Sequence, residues 1–236
     1  MPTSGPRLVM VGTIHLYEEA REKLRSILEE LRPAIITVEI SRFSIEFRKN
    51  SRRIWTERFN LALSRIGVKQ PFPPVLELLR RQISMPYEWT VSEEYGGRYG
   101  VRVVPIDTSA LSRRELPSWE RQLLNEKNLW TLLKSSDLKD LEEGHFGPLK
   151  MQAITLMKDG MRHDTSATIH PLSWLGDPFW QKRERVLSKR LARIGSICHR
   201  VVHVGGWMHC VGDTPWPTLV DLLKGTGMQV EVKCAF

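Results

Sequence analysis

The stretch LVMVGTIHLYEEAREKLRSILEELRPAIITVEI, residues 8–40, decides how this chain folds. It opens on an unbroken apolar run, Leu8-Val9-Met10-Val11, with the composition of a buried strand. After Gly12-Thr13-Ile14-His15 the apolar period changes. Across 18–31, Ala20, Leu24, Ile27, Leu28 and Leu31 fall on one face of an amphipathic helix. Pro33 stops that helix. The run Ala34-Ile35-Ile36-Thr37-Val38-Glu39-Ile40, rich in β-branched residues, then reads as a second strand with a carboxylate near its end. Strand, helix and strand in this order predict two parallel strands joined by a right-handed crossover.

Outward from this unit, residues 41–100 carry a mostly helical pattern broken by Pro71, Pro73, Pro74 and Pro86, and are expected to form a helical insertion covering the sheet edge. Val101 to Asp107 reads as a third strand, and Pro105 argues for an edge position or for the strand ending there. Residues 118–162 look helical, with loops at 135–137 and 144–148. Asp177 before Pro178 is an N-cap followed by proline at the first helical position, and that helix runs to Arg193. Arg200 to Val204, Thr218 to Leu223 and Gln229 to Val232 read as strand, helix and strand. The expected fold is one α/β domain over 1–236, with a central, mostly parallel sheet flanked by helices.

Hydrophobic residues at 41% and charged residues at 26% are ordinary for a globular protein and exclude a disordered chain. No apolar run is long enough to cross a bilayer. The first apolar run is too short for a signal peptide and reads as a strand. Three cysteines, Cys198, Cys210 and Cys234, match neither a disulfide framework nor a zinc ribbon, so a cytoplasmic protein with free thiols is expected. The net charge of +8 is concentrated at Arg48-Lys49-Asn50-Ser51-Arg52-Arg53 and from Lys182 to Arg193. Acidic residues interrupt both neighbourhoods and no nucleic-acid motif accompanies them. Solvated helix faces are the expectation, and an anionic substrate stays open.

A second Gly-x-x-His segment, Gly206-Trp207-Met208-His209, follows the strand run Val201-Val202-His203-Val204 and Gly205. In a parallel sheet, ligands bind at the carboxyl ends of strands. His15, Glu39, Asp107 and His209 all lie at such ends, so the sheet would gather them at one edge. Two imidazoles with one or two carboxylates suit a divalent ion such as Zn²⁺, Mn²⁺ or Co²⁺ carrying a water. The same groups without metal make a Glu39/His15 general base acting on water. Both readings stay open at this point.

Cys210 is expected to be a buried structural thiol rather than a nucleophile, and His203 a core histidine. His145, His163 and His170 fall in polar loops, with His170 the first candidate should one of them enter the site. Gly96-Gly97-Arg98-Tyr99-Gly100 precedes a strand, so a turn is expected rather than a phosphate cradle. Trp174, Trp180, Trp207 and Trp216 either line an apolar substrate pocket or pack in the core.

The segments Val11-Gly12-Thr13-Ile14-His15, Arg32-Pro33 and Thr37-Val38-Glu39-Ile40-Ser41-Arg42 resemble the TraB/PrgY group. That group looks related to the TIKI proteases, to GumN-like proteins and, more distantly, to the erythromycin esterase and ChaN families. Gly206-Trp207-Met208-His209 with Gly212 is similar to its second motif, with Met208 where a glycine is common. Lys182-Arg183-Glu184 looks like its helical segment, which makes Arg183 the counterpart of the family arginine. The resemblance implies an erythromycin esterase/ChaN-like fold and metal-dependent hydrolysis of a peptide or small-molecule substrate. His15 and His209 would be metal ligands, and Glu39 a ligand or the base. Arg183 would stabilise a developing oxyanion or bind an acidic group, with Asp107 and Trp207 as further substrate contacts. Two alternatives accompany it: a metal-free, esterase-like hydrolase, and a ChaN-like protein that binds haem or a similar ligand without turnover. Many relatives carry membrane segments, and the resemblance is not extended to these.

Overall fold

The computed structural model describes residues 7–134, 146–159 and 173–236. Five strands, β1 (Arg7–Thr13), β2 (Ile35–Val38), β3 (Arg102–Pro105), β4 (Arg200–Gly206) and β5 (Gln229–Cys234), form one sheet in the order β3-β2-β4-β1-β5. Every pairing is parallel. β1 and β2 are parallel as their crossover requires, but β4 lies between them. β3 is an edge strand, which is where Pro105 costs the ladder no hydrogen bond.

The chain divides into two compact units: 1–40, 87–107 and 149–236 in the first, 41–86 and 108–148 in the second. The first holds the sheet with α1 (Arg21–Leu31), α4 (Tyr87–Tyr99), α7 (Phe146–Asp159), α8 (Pro178–Gly195) and α9 (Leu219–Lys224). Leu8, Met10 and Val201 on the strands pack against Leu187 and Leu191 of α8 and Leu219, Val220 and Leu223 of α9. The start of α8 follows from local chemistry. Asp177 accepts from the N–H groups of Phe179 and Trp180 at 2.8 and 3.2 Å, with Pro178 in the first turn. Thr218 and Asp221 close a capping box at the start of α9.

The second unit holds α2 (Arg42–Arg65), α3 (Pro74–Ile83), α5 (Ser109–Gln122) and α6 (Glu126–Lys134) around Trp55, Phe59, Leu63, Leu76, Leu116 and Leu129. The helical stretch expected over 41–100 is thus shared: α2 and α3 belong to the second unit and α4 to the first. Arg48 departs from the expected solvated face. It is buried, its Nη1 donates to the carbonyls of Gln82 and Ser84 at 2.7 and 2.6 Å, and it lies over the Trp119 ring. A guanidinium there satisfies the carbonyls at the end of α3, and burial pushes its pKa down to about 10.

One further expectation changes. Gly96 and Gly97 are not a turn but the last part of α4, and Gly100, at φ 67°, follows the helix. Gly12, Gly205 and Gly206 belong to the strands themselves, within β1 and β4, and none has a positive φ. Among the described residues, no helix is long and apolar enough to cross a membrane. Cys198, Cys210 and Cys234 are all free thiols.

Candidate functional site

The carboxyl ends of β1, β2, β3 and β4 bring His15, Glu39, Asp107 and His209 to one edge of the sheet, all within the first unit. Glu39 follows β2 directly, its N–H bonded to Val204 O at 2.9 Å, so its side chain rises beside the end of β4. There Glu39 Oε2 accepts from the Gly206 N–H at 2.6 Å, and Oε1 accepts from Arg183 Nη2 at 2.5 Å. His209 Nε2 lies 2.9 Å from the same Oε1. Arg183, one and a half turns into α8, also holds Asp107 with both arms, Nε to Oδ1 at 2.9 Å and Nη2 to Oδ2 at 2.8 Å. This is the fork geometry that suits guanidinium to carboxylate.

Two carboxyl groups that the sequence reading left out stand behind the histidines. His15 Nδ1 is 2.7 Å from Glu88 Oε1 on α4, and His209 Nδ1 is 2.6 Å from Glu184 Oε1 on α8. The His15 ring is oriented by this hydrogen bond at Nδ1 and the His209 ring faces Glu184 as an ion-pair contact at Nδ1, which leaves Nε2 of each for the site. His209 and Glu184 are 2% and 0% exposed, whereas the His15 side chain is 52% exposed. Thr13 Oγ1 lies 3.1 Å from Glu88 Oε1 and 3.0 Å from Gly205 O, joining Glu88 to β4. Trp180 stacks on His209 with ring centres 5.0 Å apart, and the Arg183 guanidinium lies over the same indole.

The charges follow from these contacts. Burial alone would push Glu39 up, but His209, then Arg183, hold its carboxyl well below the usual range. Burial would likewise lower His209. Glu184 and Glu39 outweigh it and raise the imidazole to about 10. For His15, whose side chain is half-exposed, the partial loss of solvent is outweighed by the charge and hydrogen bond of Glu88, and the pKa is raised. Arg183 is pushed up by Glu39 and Asp107 against its own burial. The result is a buried network in which each charge has an opposite neighbour.

No family model matches the chain, and neither does any curated protein or solved structure. The site therefore rests on its own geometry. Among the described residues, no three His, Cys, Asp or Glu side chains are grouped so as to hold a metal ion. At Glu39, Arg183 occupies Oε1 and lies 3.4 Å from His209 Nε2. The donor types are those a divalent ion takes, one anionic carboxylate and two imidazoles, each with a carboxyl group behind Nδ1, and binding would require His209 to release its Nε2 proton. His203 adds a buried ring nitrogen, Nε2, without a hydrogen-bond partner among the described residues.

His15 Nε2 and Glu39 Oε2 lie 3.0 and 3.6 Å from the point where a Cβ on Gly206 would sit. Gly206 thus keeps that approach free of a side chain. Trp207 is buried in a 3-10 turn, Trp207–Cys210, and Cys210 packs in the apolar core, where burial pushes its thiol pKa well up. His145, His163 and His170, and the side chain of Trp174, lie outside the described residues.

Glu184 and Glu88 had a signal in the sequence. Arg183 and Glu184 share the buried stripe of α8 with Leu187, Ser188 and Leu191, while Lys182 and Arg185 are exposed. Glu88 is in register with Val91, Ser92 and Tyr95 in the same way on α4. A charged residue on the apolar face of a helix requires a partner, and that requirement points into the site.

Proposed function

We propose that this protein is a hydrolase, related to the TraB/PrgY and TIKI-like group and with an erythromycin esterase/ChaN-like fold. Its centre is Glu39 between two imidazoles that buried carboxyl groups orient. The observation that carries this reading is the pair of Glu–His contacts, Glu88 to His15 and Glu184 to His209, made by different helices and both leaving Nε2 for the Glu39 side. A structural histidine needs no such repetition.

His15, Glu39 and His209 would hold a divalent ion, which when bound lowers the pKa of water towards neutrality and polarises a carbonyl. The chain supplies the rest. Glu88 fixes the His15 ring through Nδ1, so that Nε2 is the nitrogen presented to the ion. Arg183, clamped by Asp107, carries positive charge beside the centre, where negative charge would develop on an acyl oxygen. Trp180 presents an apolar face over His209 and Arg183, suited to the non-reacting part of a peptide or small-molecule ester or amide.

A second reading, hydrolysis without metal by the His15–Glu88 pair, is favoured by the Arg183 guanidinium already neutralising Glu39. Elemental analysis after loading with Zn²⁺, Mn²⁺ or Co²⁺ and removal of free ion separates the two. Stoichiometric metal in the wild type that is lost in both His15→Ala and His209→Ala supports the metal reading. A metal-free wild type that hydrolyses model esters through His15 overturns it in favour of the second.

A further inference from the structure

The histidine at the middle of β4 is not a satisfied core residue. Thr37 pairs with His203 and Val38 with Val204, so His203 shares a sheet face with Thr37 and, one step beyond, with Glu39. The His203 ring is 1% exposed. Nδ1 lies 3.1 Å from Thr37 Oγ1, and Nε2 has no hydrogen-bond partner among the described residues. Across from it is Glu39 Oε2, which accepts from the Gly206 N–H, while Arg183 and His209 are held at Oε1. A Cβ on Gly205 would stand 2.7 Å from Glu39 Oε2 and 2.9 Å from His203 Nε2. Gly205 has no positive φ, so its backbone does not require glycine. The missing side chain leaves the ring nitrogen and the carboxylate oxygen facing one space.

We propose that His203 is a metal ligand, binding through Nε2 the same divalent ion that Glu39 binds through Oε2. The inference rests on the metal reading above and changes its ligand set, since neither Gly-x-x-His motif contains His203. The chemistry is specific. A buried imidazole nitrogen with no hydrogen-bond partner among the described residues, beside a carboxylate oxygen that accepts one backbone N–H and keeps a second lone pair, suits a borderline cation such as Zn²⁺, Co²⁺ or Mn²⁺. Arg183 remains on Oε1, so the ion need not displace the guanidinium from Glu39 or Asp107.

The test uses the full chain loaded with Co²⁺ and Zn²⁺. Binding constants and Co²⁺ absorption are compared for the wild type, His203→Asn and Gly205→Ala, with circular dichroism confirming the fold of each. A ligand predicts that His203→Asn weakens binding by more than the roughly 10–100-fold that loss of an outer partner costs, and changes the Co²⁺ spectrum. Gly205→Ala, which keeps His203, should weaken binding as well. Should His203→Asn fail to fold, the wild type still decides, since Co²⁺ must shift or broaden the ring resonances of His203 in histidine-labelled protein. A wild type that binds metal while His203→Asn keeps the same spectrum, or whose His203 resonances ignore Co²⁺, overturns the proposal alone. A wild type that binds no metal overturns the metal reading and this proposal with it.

Discussion

Arg183 and Asp107, 76 positions apart, form a two-armed ion pair at 2.9 and 2.8 Å, and the same guanidinium reaches Glu39. One cation thereby compensates two carboxylates at the ends of β2 and β3, and both partners and Arg183 are largely buried. Removing one member of a buried pair leaves an uncompensated charge, which costs about 3–5 kcal/mol. Arg183→Met is expected to lose that much in urea denaturation. Arg183→Lys should recover only part of it, because one ammonium cannot reproduce the fork. A loss of under about 1 kcal/mol for Arg183→Met would match an exposed pair and contradict this account.

The His15–Glu88 contact makes a prediction that does not need a substrate. Glu88 raises the pKa of His15 through its charge and its hydrogen bond. Glu88→Gln keeps a hydrogen-bonding group but removes the charge, so the His15 pKa should fall. Titration of the histidine ring resonances measures this directly. If His15 acts as a base, the acid limb of the pH–rate profile moves to lower pH by the same shift. An unmoved His15 resonance would remove Glu88 from the site.

The elements that were legible in the sequence are those whose cause is local. Ile35–Val38 and Arg200–Gly206 are β-branched runs, and Asp177 with Pro178 marks the start of α8 by itself. The need for glycine at position 12 is tertiary in origin and has no local signal. A Cβ on Gly12 would meet Met157 Cε at 2.6 Å and the Cα of Trp207 at 3.1 Å, and neither neighbour is adjacent in the chain. Arg48 shows the same limit, since nothing in its basic run distinguishes the one side chain that turns to the end of α3. The gathering of His15, Glu39, Asp107 and His209 was legible because parallel strands share one direction. Glu88 and Glu184 require knowing which helix face is buried, and His203 requires knowing what stands opposite Gly205.

The His209 network should make stability fall on the alkaline side. Its folded pKa is raised from 6.5 to about 10 by Glu184 and Glu39, so the folded state holds a proton that the unfolded chain has released. That contribution is full below about 6.5 and is lost as pH rises towards about 10. Denaturation midpoints across this window should decline in the wild type more steeply than in His209→Gln, which carries no such proton. Parallel slopes would show that His209 is neutral in the folded protein.

Asp177 offers a test of how far the site depends on the helix that carries it. Its carboxylate caps α8 at the N–H groups of Phe179 and Trp180, six and more residues before Arg183 and Glu184. Loss of an N-cap costs about 1 kcal/mol, through donors left unpaired at the helix start. Asp177→Ala should therefore lower the denaturation midpoint by that amount. The position of Arg183 is set separately, by Asp107 at its far end and by the core packing of its helix through Leu187 and Leu191. The His15 and His209 ring titrations should accordingly match those of the wild type. If instead the cap variant shifts either titration, the first turn of α8, and not the Arg183–Asp107 clamp, sets the geometry of the centre.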